Sequence, residues 1–171
     1  MSAVLCSLCL LVNAAQPEFA AAKPVWPEGR ETEMNLFVGF RAVFDHPGEG
    51  PVMVRLTGAS NYRVFVNGQF LCHGPARAAH GFFRLDEYDA APLLHAGKNV
   101  VAIEVAGYNV NSFYLLDQPA FVQAEVVSGG TILASTAGRG VPFEAAILTH
   151  RVQQVQRYSF QRPFTEAYRL C

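Results

Sequence analysis

The sequence predicts an all-β fold of about eight or nine short antiparallel strands. Three observations support this prediction. Apolar and polar residues alternate in several short runs, Gly and Asn mark turns at intervals of about 8 to 12 residues, and Asn67-Gly68 separates two of the runs. An Asn-Gly pair favours a type I′ hairpin turn, because both residues tolerate the positive φ that its two central positions require. This spacing of strands and turns is typical of a β-sandwich.

The first two strands are predicted from alternation with a period of two. Residues 36–44 form the first and residues 51–58 the second, with a turn at residues 45–50 between them. In the second strand Met53, Arg55 and Thr57 are expected to face outward. The positions expected to face the core are Leu36, Val38, Phe40, Ala42, Phe44, Val52, Val54 and Leu56.

The remaining elements follow from turn residues and short apolar runs. The Asn-Gly hairpin joins residues 62–66 to residues 70–72, a short strand is expected at residues 82–85, and another begins at residue 100. Asp89 is expected to cap the turn or short helix after it, because Asp side chains accept hydrogen bonds from backbone N–H groups there. Further expected elements are a short strand at 113–116, a hairpin of 121–127 with 131–135, and a strand or a turn at 143–148.

Residues 62–105 carry a series of short motifs in a fixed order. They are Tyr62, Val66-Asn67-Gly68, Tyr88-Asp89, Leu93-Leu94, Gly97-Lys98-Asn99 and the apolar run 100–103. This order resembles that of one family, the N-terminal β-sandwich domain of bacterial α-L-rhamnosidases. That domain is a galactose-binding-like jelly roll, and the resemblance covers about residues 35–135. It implies a sandwich of two antiparallel sheets rather than a barrel. At Tyr108, many such domains carry Trp instead.

The chain divides into four predicted segments: a signal peptide with the start of an arm (1–22), an arm or linker (23–34), the sandwich (35–148), and a segment leading toward a downstream domain (149–171). Residues 3–12 are apolar but too short to span a bilayer, and cleavage fits after Ala14 or around residues 20–22. Secretion, or export to the periplasm, is therefore expected. An ordinary apolar segment or a misassigned start codon is the alternative, because no Lys or Arg precedes the run.

Composition excludes several classes of protein. Apolar residues make up 51% and charged residues 16%, which argues against a disordered chain. The net charge is −1 without a basic cluster, which argues against nucleic acid as a partner. No run is long enough for a membrane span. Cys72 and Cys171 could pair in an oxidising compartment, or Cys72 could pack as a small apolar residue.

Catalytic and metal-binding motifs are absent from the sequence. The five histidines lack ligand spacing, and the HExxH, GxSxG and GxGxxG patterns do not occur, so we expect no metal and no cofactor. The densest acidic cluster is Asp86, Glu87 and Asp89, which we interpret as structural. The resemblance implies that the catalytic acid and base lie in a downstream barrel, so this chain is expected not to hydrolyse glycosides.

Two loops, residues 74–81 and 107–118, are candidates for saccharide contact, since amides and carboxylates bind hydroxyl pairs and aromatic rings cover sugar C–H edges. Alternatives remain open: Arg77 could pair with Asp86 or Glu87, the asparagines could hold turns, Tyr114 could be core, and Trp26 could either pack or stack on a sugar. The candidate residues are Arg77, His80, Tyr108, Asn109, Asn111, Tyr114 and Asp117.

The predicted function is that of a non-catalytic accessory module of a secreted α-L-rhamnosidase-like glycoside hydrolase, packing on a catalytic domain and contacting carbohydrate. The alternative is a free-standing carbohydrate-binding protein; a complete small enzyme is disfavoured. A partner would cover apolar surface in the C-terminal segment, to which Arg157, Tyr158, Phe160 and Phe164 contribute.

Overall fold

The computed structural model describes residues 18–79 and 81–170. Most of the predicted signal peptide, together with His80 and Cys171, lies outside these residues. The described chain contains ten β-strands and one 3-10 turn, Ala91–Leu93, and it holds no helix long and apolar enough to cross a membrane. The strands are β1 (Leu36–His46), β2 (Val52–Ala59), β3 (Asn61–Val66), β4 (Gln69–Gly74), β5 (Asp86–Asp89), β6 (Gly97–Gly107), β7 (Phe121–Ser128), β8 (Thr131–Ser135), β9 (Val141–Pro142) and β10 (Glu144–Ile147).

The strands form two five-stranded sheets that pack face to face. The first sheet has the order β10-β1-β6-β3-β4 and is antiparallel throughout. The second has the order β5-β2-β7-β8-β9 and is antiparallel except for the pair of β8 and β9. The predicted all-β antiparallel sandwich is confirmed.

The core lies between the sheets, and the predicted alternation places the expected side chains in it. All eight positions predicted to face inward in β1 and β2 are buried, as are Val101, Ile103 and Val105 of β6. Thr57 is an exception to the outward set, because it is buried as well. Its cross-strand neighbour Gln123 donates a hydrogen bond to the carbonyl of Ala22, so chain from outside the sheet covers this position.

Residues 18–34, the arm, begin on the outer face of the second sheet, where Gln123 and Glu125 of β7 bind residues 20–22. The carboxylate of Glu125 in β7 is fully buried there and accepts hydrogen bonds from the backbone N–H groups of Ala20, Ala21 and Ala22 at 3.0 to 3.2 Å. Arg55 lies 3.5 Å from the same carboxylate. A buried charge needs such partners, so Glu125 fixes the path of the arm.

The motifs of residues 66–99 meet in one polar network. Asn67 and Gly68 have φ values of 50° and 81°, as the predicted type I′ turn requires. The Asn67 side chain donates to Asn99 Oδ1 at 2.8 Å and to the Leu93 carbonyl at 2.9 Å, and it accepts from the N–H of Val100. Asn99 is fully buried and donates to the carbonyls of His95 and Gly97. The network therefore joins the hairpin, the 3-10 turn and the start of β6.

Two short strands were placed wrongly by the sequence pattern. The strand predicted at residues 82–85 is irregular, and the strand β5 comes after it, because Asp86 is the first residue of the segment that is buried and anchored. The strand predicted at residues 113–116 is also absent; the Ser112 hydroxyl instead accepts hydrogen bonds from the N–H groups of Tyr114 and Leu115 in a turn.

The prediction for Asp89 is confirmed, because its carboxylate accepts the N–H of Ala91 at 2.9 Å. Residues 144–147 form a strand, which resolves the ambiguous segment.

Replacing Asn99 by Ala is expected to lower the free energy of unfolding by about 3 kcal/mol, because Asn67 and His95 lose buried hydrogen-bond partners. Urea denaturation followed by the fluorescence of Trp26 measures the change. Asn61→Ala is the matched control, since Asn61 is exposed; its effect is expected to stay within about 0.5 kcal/mol. Equal effects of the two substitutions would contradict the role of the network.

Candidate functional site

The two loops predicted from the sequence face each other across one cavity, which we call the loop cleft. Its volume is about 450 Å³, and residues 75–79, 81–84 and 112–116 line it. Of the seven predicted saccharide-contacting residues, the structure brings Arg77 and Tyr114 together here. The Arg77 guanidinium lies 5.6 Å from the centre of the Tyr114 ring. A cation placed over an aromatic face in this way is an attractive contact.

The alternatives considered for these two residues do not hold in the structure. Tyr114 is 42% exposed, so it is not a core residue. Asp86 pairs with Arg84 and Glu87 pairs with Arg55, whereas Arg77 contacts Tyr114. Phe82 and Phe83 add exposed aromatic surface beside them. The loop cleft therefore combines the Arg77 guanidinium with several aromatic faces.

Asp86 anchors the loop that forms one wall of the cleft. The buried hydroxyl of Tyr62 donates to Asp86 Oδ2 at 2.6 Å, and burial together with the Asp86 charge raises the Tyr62 pKa far above its usual range. Gly74 passes so close that a Cβ there would lie 2.4 Å from the Tyr62 hydroxyl. The base of the loop is thus held by a protonated phenol, a carboxylate and a position that admits only glycine.

Two of the other predicted residues hold the backbone of their loop, and a third packs on the first sheet. Asn109 is buried with φ of 45°, and its side chain donates to the carbonyl of Glu31 at 2.6 Å. Asn111 Oδ1 accepts the N–H of the exposed Asp117 at 3.0 Å. Tyr108 is buried against Phe37, with ring centres 5.9 Å apart. These residues lie outside the lining of the loop cleft.

A second cavity of about 300 Å³, which we call the sheet-face cavity, lies on the outer face of the first sheet. Strands β3 and β6 place Arg63 directly opposite Glu104, and the two side chains form an ion pair at 2.6 Å. On the other side, Arg151 pairs with Glu166 at 2.9 Å. The cavity is also lined by Phe37, Asn61, His73, Pro75 and Tyr108.

The sequence pattern missed most of this cavity, and only Tyr108 belongs to the predicted set. The outward alternation of Arg63 and Glu104 was a usable signal once the two strands are known to be neighbours. Arg151 and Glu166 gave no such signal. They come from an irregular segment that reaches the sheet through tertiary packing of Arg151, which lies 4.0 Å from the Phe37 ring centre.

Exposed aromatic residues continue from the loop cleft onto the C-terminal segment. We call Phe113, Tyr114, Tyr158 and Phe160 the aromatic patch. The rings of Phe113 and Phe160 meet edge to face at 5.9 Å, yet both residues are about 70% exposed and Tyr158 is 81% exposed. An exposed aromatic group of this kind marks an interaction surface more often than a free surface.

Arg157 positions the aromatic patch. Its guanidinium donates to the carbonyls of Arg162, Phe160 and Asn111, which ties the C-terminal segment to the loop before Phe113. Phe164, in contrast, is partly buried against the small cluster that contains Phe37 and Tyr108. The segment is therefore folded onto the sandwich, with two of its aromatic side chains directed away from it.

The acidic residues near the loop cleft are engaged in structural contacts. Asp86 binds Tyr62 and Arg84, Glu87 binds Arg55, and Asp89 caps the following turn. Among residues 18–79 and 81–170, no group of three or more His, Cys, Asp or Glu side chains is arranged to hold a metal ion.

Trp26 packs on the core, with its ring centre 6.1 Å from that of Phe40, and its indole N–H donates to the carbonyl of Arg30.

Comparison with solved structures relates this architecture to one group of enzymes. The GH78 family rhamnosidase of Bacillus sp. GL1 matches 89% of this chain with a TM-score of 0.77 and 28% sequence identity. The chain resembles a domain of α-L-rhamnosidases. The α-L-rhamnosidase of Aspergillus terreus matches 87% of the chain with a TM-score of 0.59 and 16% identity, which supports the fold alone.

This chain spans a small part of the rhamnosidases, 16% of the Bacillus enzyme and 18% of the Aspergillus enzyme. No family profile matches the sequence, and no curated protein matches it significantly. The structural likeness confirms the resemblance that the motifs of residues 62–99 indicated.

Cys72 is expected to resist alkylation in the folded protein. It is buried in β4, and burial together with the Asp86 charge raises the pKa of its thiol to about 12. At about pH 8 the reactive thiolate is therefore scarce in the native state. Mass spectrometry of the Cys72 peptide after iodoacetamide treatment measures this, with the urea-unfolded chain as the control. Equal labelling of folded and unfolded protein would contradict the prediction.

Proposed function

We propose that this chain is a non-catalytic accessory module of a secreted or periplasmic α-L-rhamnosidase-like glycoside hydrolase, which packs on a catalytic domain and contacts carbohydrate. The observation that carries the proposal is the match of 89% of this chain to only 16% of a GH78 rhamnosidase at 28% identity. A module of this size leaves most of such an enzyme to other parts of the protein, and we assign the residues that cleave the glycoside to those parts.

The aromatic patch is the surface that we assign to the catalytic domain. Tyr158 and Phe160 lie on a segment that Arg157 holds against the sandwich, so the patch is preorganised rather than loose. Preorganised aromatic residues contribute strongly to interfaces, because little side-chain entropy is lost on binding. The patch also adjoins the loop cleft through Tyr114, which brings a carbohydrate bound there close to the partner domain.

The loop cleft supports the carbohydrate part of the proposal. The ring of Tyr114 offers an apolar face to sugar C–H groups, and Arg77 offers donors to hydroxyl oxygens. The alternative function, a free-standing carbohydrate-binding protein, draws on the same cleft. The two functions differ in Tyr158 and Phe160 of the aromatic patch, which only the accessory module needs.

Replacing both Tyr158 and Phe160 by Ala is expected to weaken binding to a catalytic partner by roughly tenfold or more, because aromatic anchors dominate interface energies. The partner is the Bacillus sp. GL1 rhamnosidase lacking the segment similar to this chain, and calorimetry measures the affinity. Phe70→Ala is the matched control, since Phe70 is 55% exposed but lies in β4 outside the patch. Binding that is equally sensitive to all three substitutions, or no binding by the wild-type chain, would contradict the assignment.

The isolated chain is expected to show no turnover of an aryl α-L-rhamnoside, because its densest group of carboxylates is occupied by Tyr62, Arg84, Arg55 and the backbone of Ala91. Release of the aryl alcohol measured by absorbance tests this. Turnover that persists in the purified chain and disappears in an Asp86→Asn variant would assign catalysis to this module and reject the proposal.

A further inference from the structure

The sheet-face cavity takes only Gly74, Pro75 and Tyr108 from the predicted loops, and it has the composition of a binding site. Its floor is a regular β-sheet, so Arg63 and Glu104 are positioned by the register of β3 against β6. Its side is closed by Arg151, which is 6% exposed and lies between the rings of Phe37 and Tyr168 at 4.0 and 4.3 Å. A site on rigid elements with a stacked guanidinium is preorganised for a ligand.

The charges of the cavity select against an ionic ligand. Two arginines and two glutamates line it, and each arginine is already paired with one glutamate. A carboxylate or phosphate ligand could reach the remaining N–H donors of either arginine only beside Glu104 or Glu166, whose like charge opposes it. A neutral ligand leaves both pairs intact.

The free atoms of these pairs suit hydroxyl groups. Among the contacts of the described residues, Glu104 and Glu166 bind their partners through Oε2, so each Oε1 can accept a further hydrogen bond. Asn61 and His73 add an amide and an imidazole at the rim. A hydroxyl group both donates and accepts, and neighbouring hydroxyls on a sugar ring match such alternating partners.

Apolar walls complete the cavity. Phe37, Ala106, Tyr108 and Pro75 face it, and the phenol of Tyr108 stays protonated because burial raises its pKa. A volume of about 300 Å³ is at the lower end for ligand pockets and fits one ring with its substituents. Asn61 and Pro75 also line the loop cleft, so the two cavities adjoin.

We propose that the sheet-face cavity binds one neutral sugar unit through the Arg63–Glu104 and Arg151–Glu166 pairs. This inference rests on the proposed function, of which it names a binding site and a ligand class. It assigns to Glu104, Arg63 and Arg151 a role that the loop residues Arg77 and Tyr114 do not share.

An NMR titration tests the inference. Methyl α-L-rhamnopyranoside and, separately, D-glucuronate are added to the whole chain, and the amide chemical shifts are followed. The neutral sugar is expected to cause saturable shifts at Arg63, His73 and Glu104. Glu104→Gln is expected to weaken binding roughly tenfold by replacing a charged acceptor. Glu144→Gln is the matched control, because it removes the exposed Arg41–Glu144 pair of the same sheet, and binding should not change.

A second variant, Asn61→Trp, tests the same cavity in case Glu104→Gln loses binding because the chain unfolds. Asn61 is exposed, so a bulky ring at the rim is expected to block the cavity while the spectrum stays that of the folded chain. The inference is overturned by shifts confined to the loop cleft, by stronger binding of D-glucuronate, or by no saturable shift up to about 100 mM sugar. None of these outcomes changes binding to the catalytic partner, so the accessory role is judged independently.

Discussion

The contact between the side chains of Asn67 and Asn99 fixes the arrangement on which the rest of the first sheet depends. Asn99 is fully buried, and all its side-chain partners belong to the hairpin turn or to residues 95–97. Strand β6 begins there and is flanked by β1 and β3. A slip of one residue in either pairing would turn every side chain to the opposite face, so the network protects both the core and the outer surface.

The same register determines which side chains lie together on the outer surface of the first sheet. Because Arg63 stands opposite Glu104, the ion pair forms on the solvent side of the sheet and becomes the floor of the sheet-face cavity. The C-terminal segment then closes the cavity with Arg151 and leaves Tyr158 and Phe160 exposed beside the loop cleft. On the second sheet, the buried carboxylate of Glu125 holds the arm over the outer face. The outer face of the second sheet is therefore covered because Glu125 binds the arm, whereas the outer face of the first sheet carries a cavity because of the β3–β6 register and Arg151.

The sequence predicted the parts of the fold that are governed by local rules. The type I′ turn at Asn67-Gly68 and the inward alternation of β1 and β2 depend on backbone preference and burial, and both are readable in a short window. Strand β5 was predicted too early because Phe82 and Phe83 have strand-like composition, whereas the observed strand begins at Asp86, whose bond to Tyr62 is a long-range contact.

The candidate site also contains residues that local sequence patterns predicted and residues that depend on long-range contacts. Arg77 and Tyr114 meet because both loops cross between the two sheets at one end of the sandwich, one between β4 and β5 and the other between β6 and β7. Arg151 was unpredictable, since an arginine in an irregular segment carries no sign of burial until its aromatic neighbours are known. Asn109 and Asn111 hold turns, which is one of the two alternatives that the sequence left open, because a polar loop residue serves its own backbone as readily as it serves a ligand.

Hydrogen exchange of the chain, alone and with the truncated Bacillus sp. GL1 rhamnosidase, tests the central claim most directly. If the aromatic patch packs on a catalytic domain, amides in residues 111–116 and 157–164 become protected on mixing, while the β3–β4 hairpin exchanges as before. Unchanged exchange in both segments, or protection confined to the hairpin, would contradict the assignment of this sandwich as a module that docks through its aromatic patch.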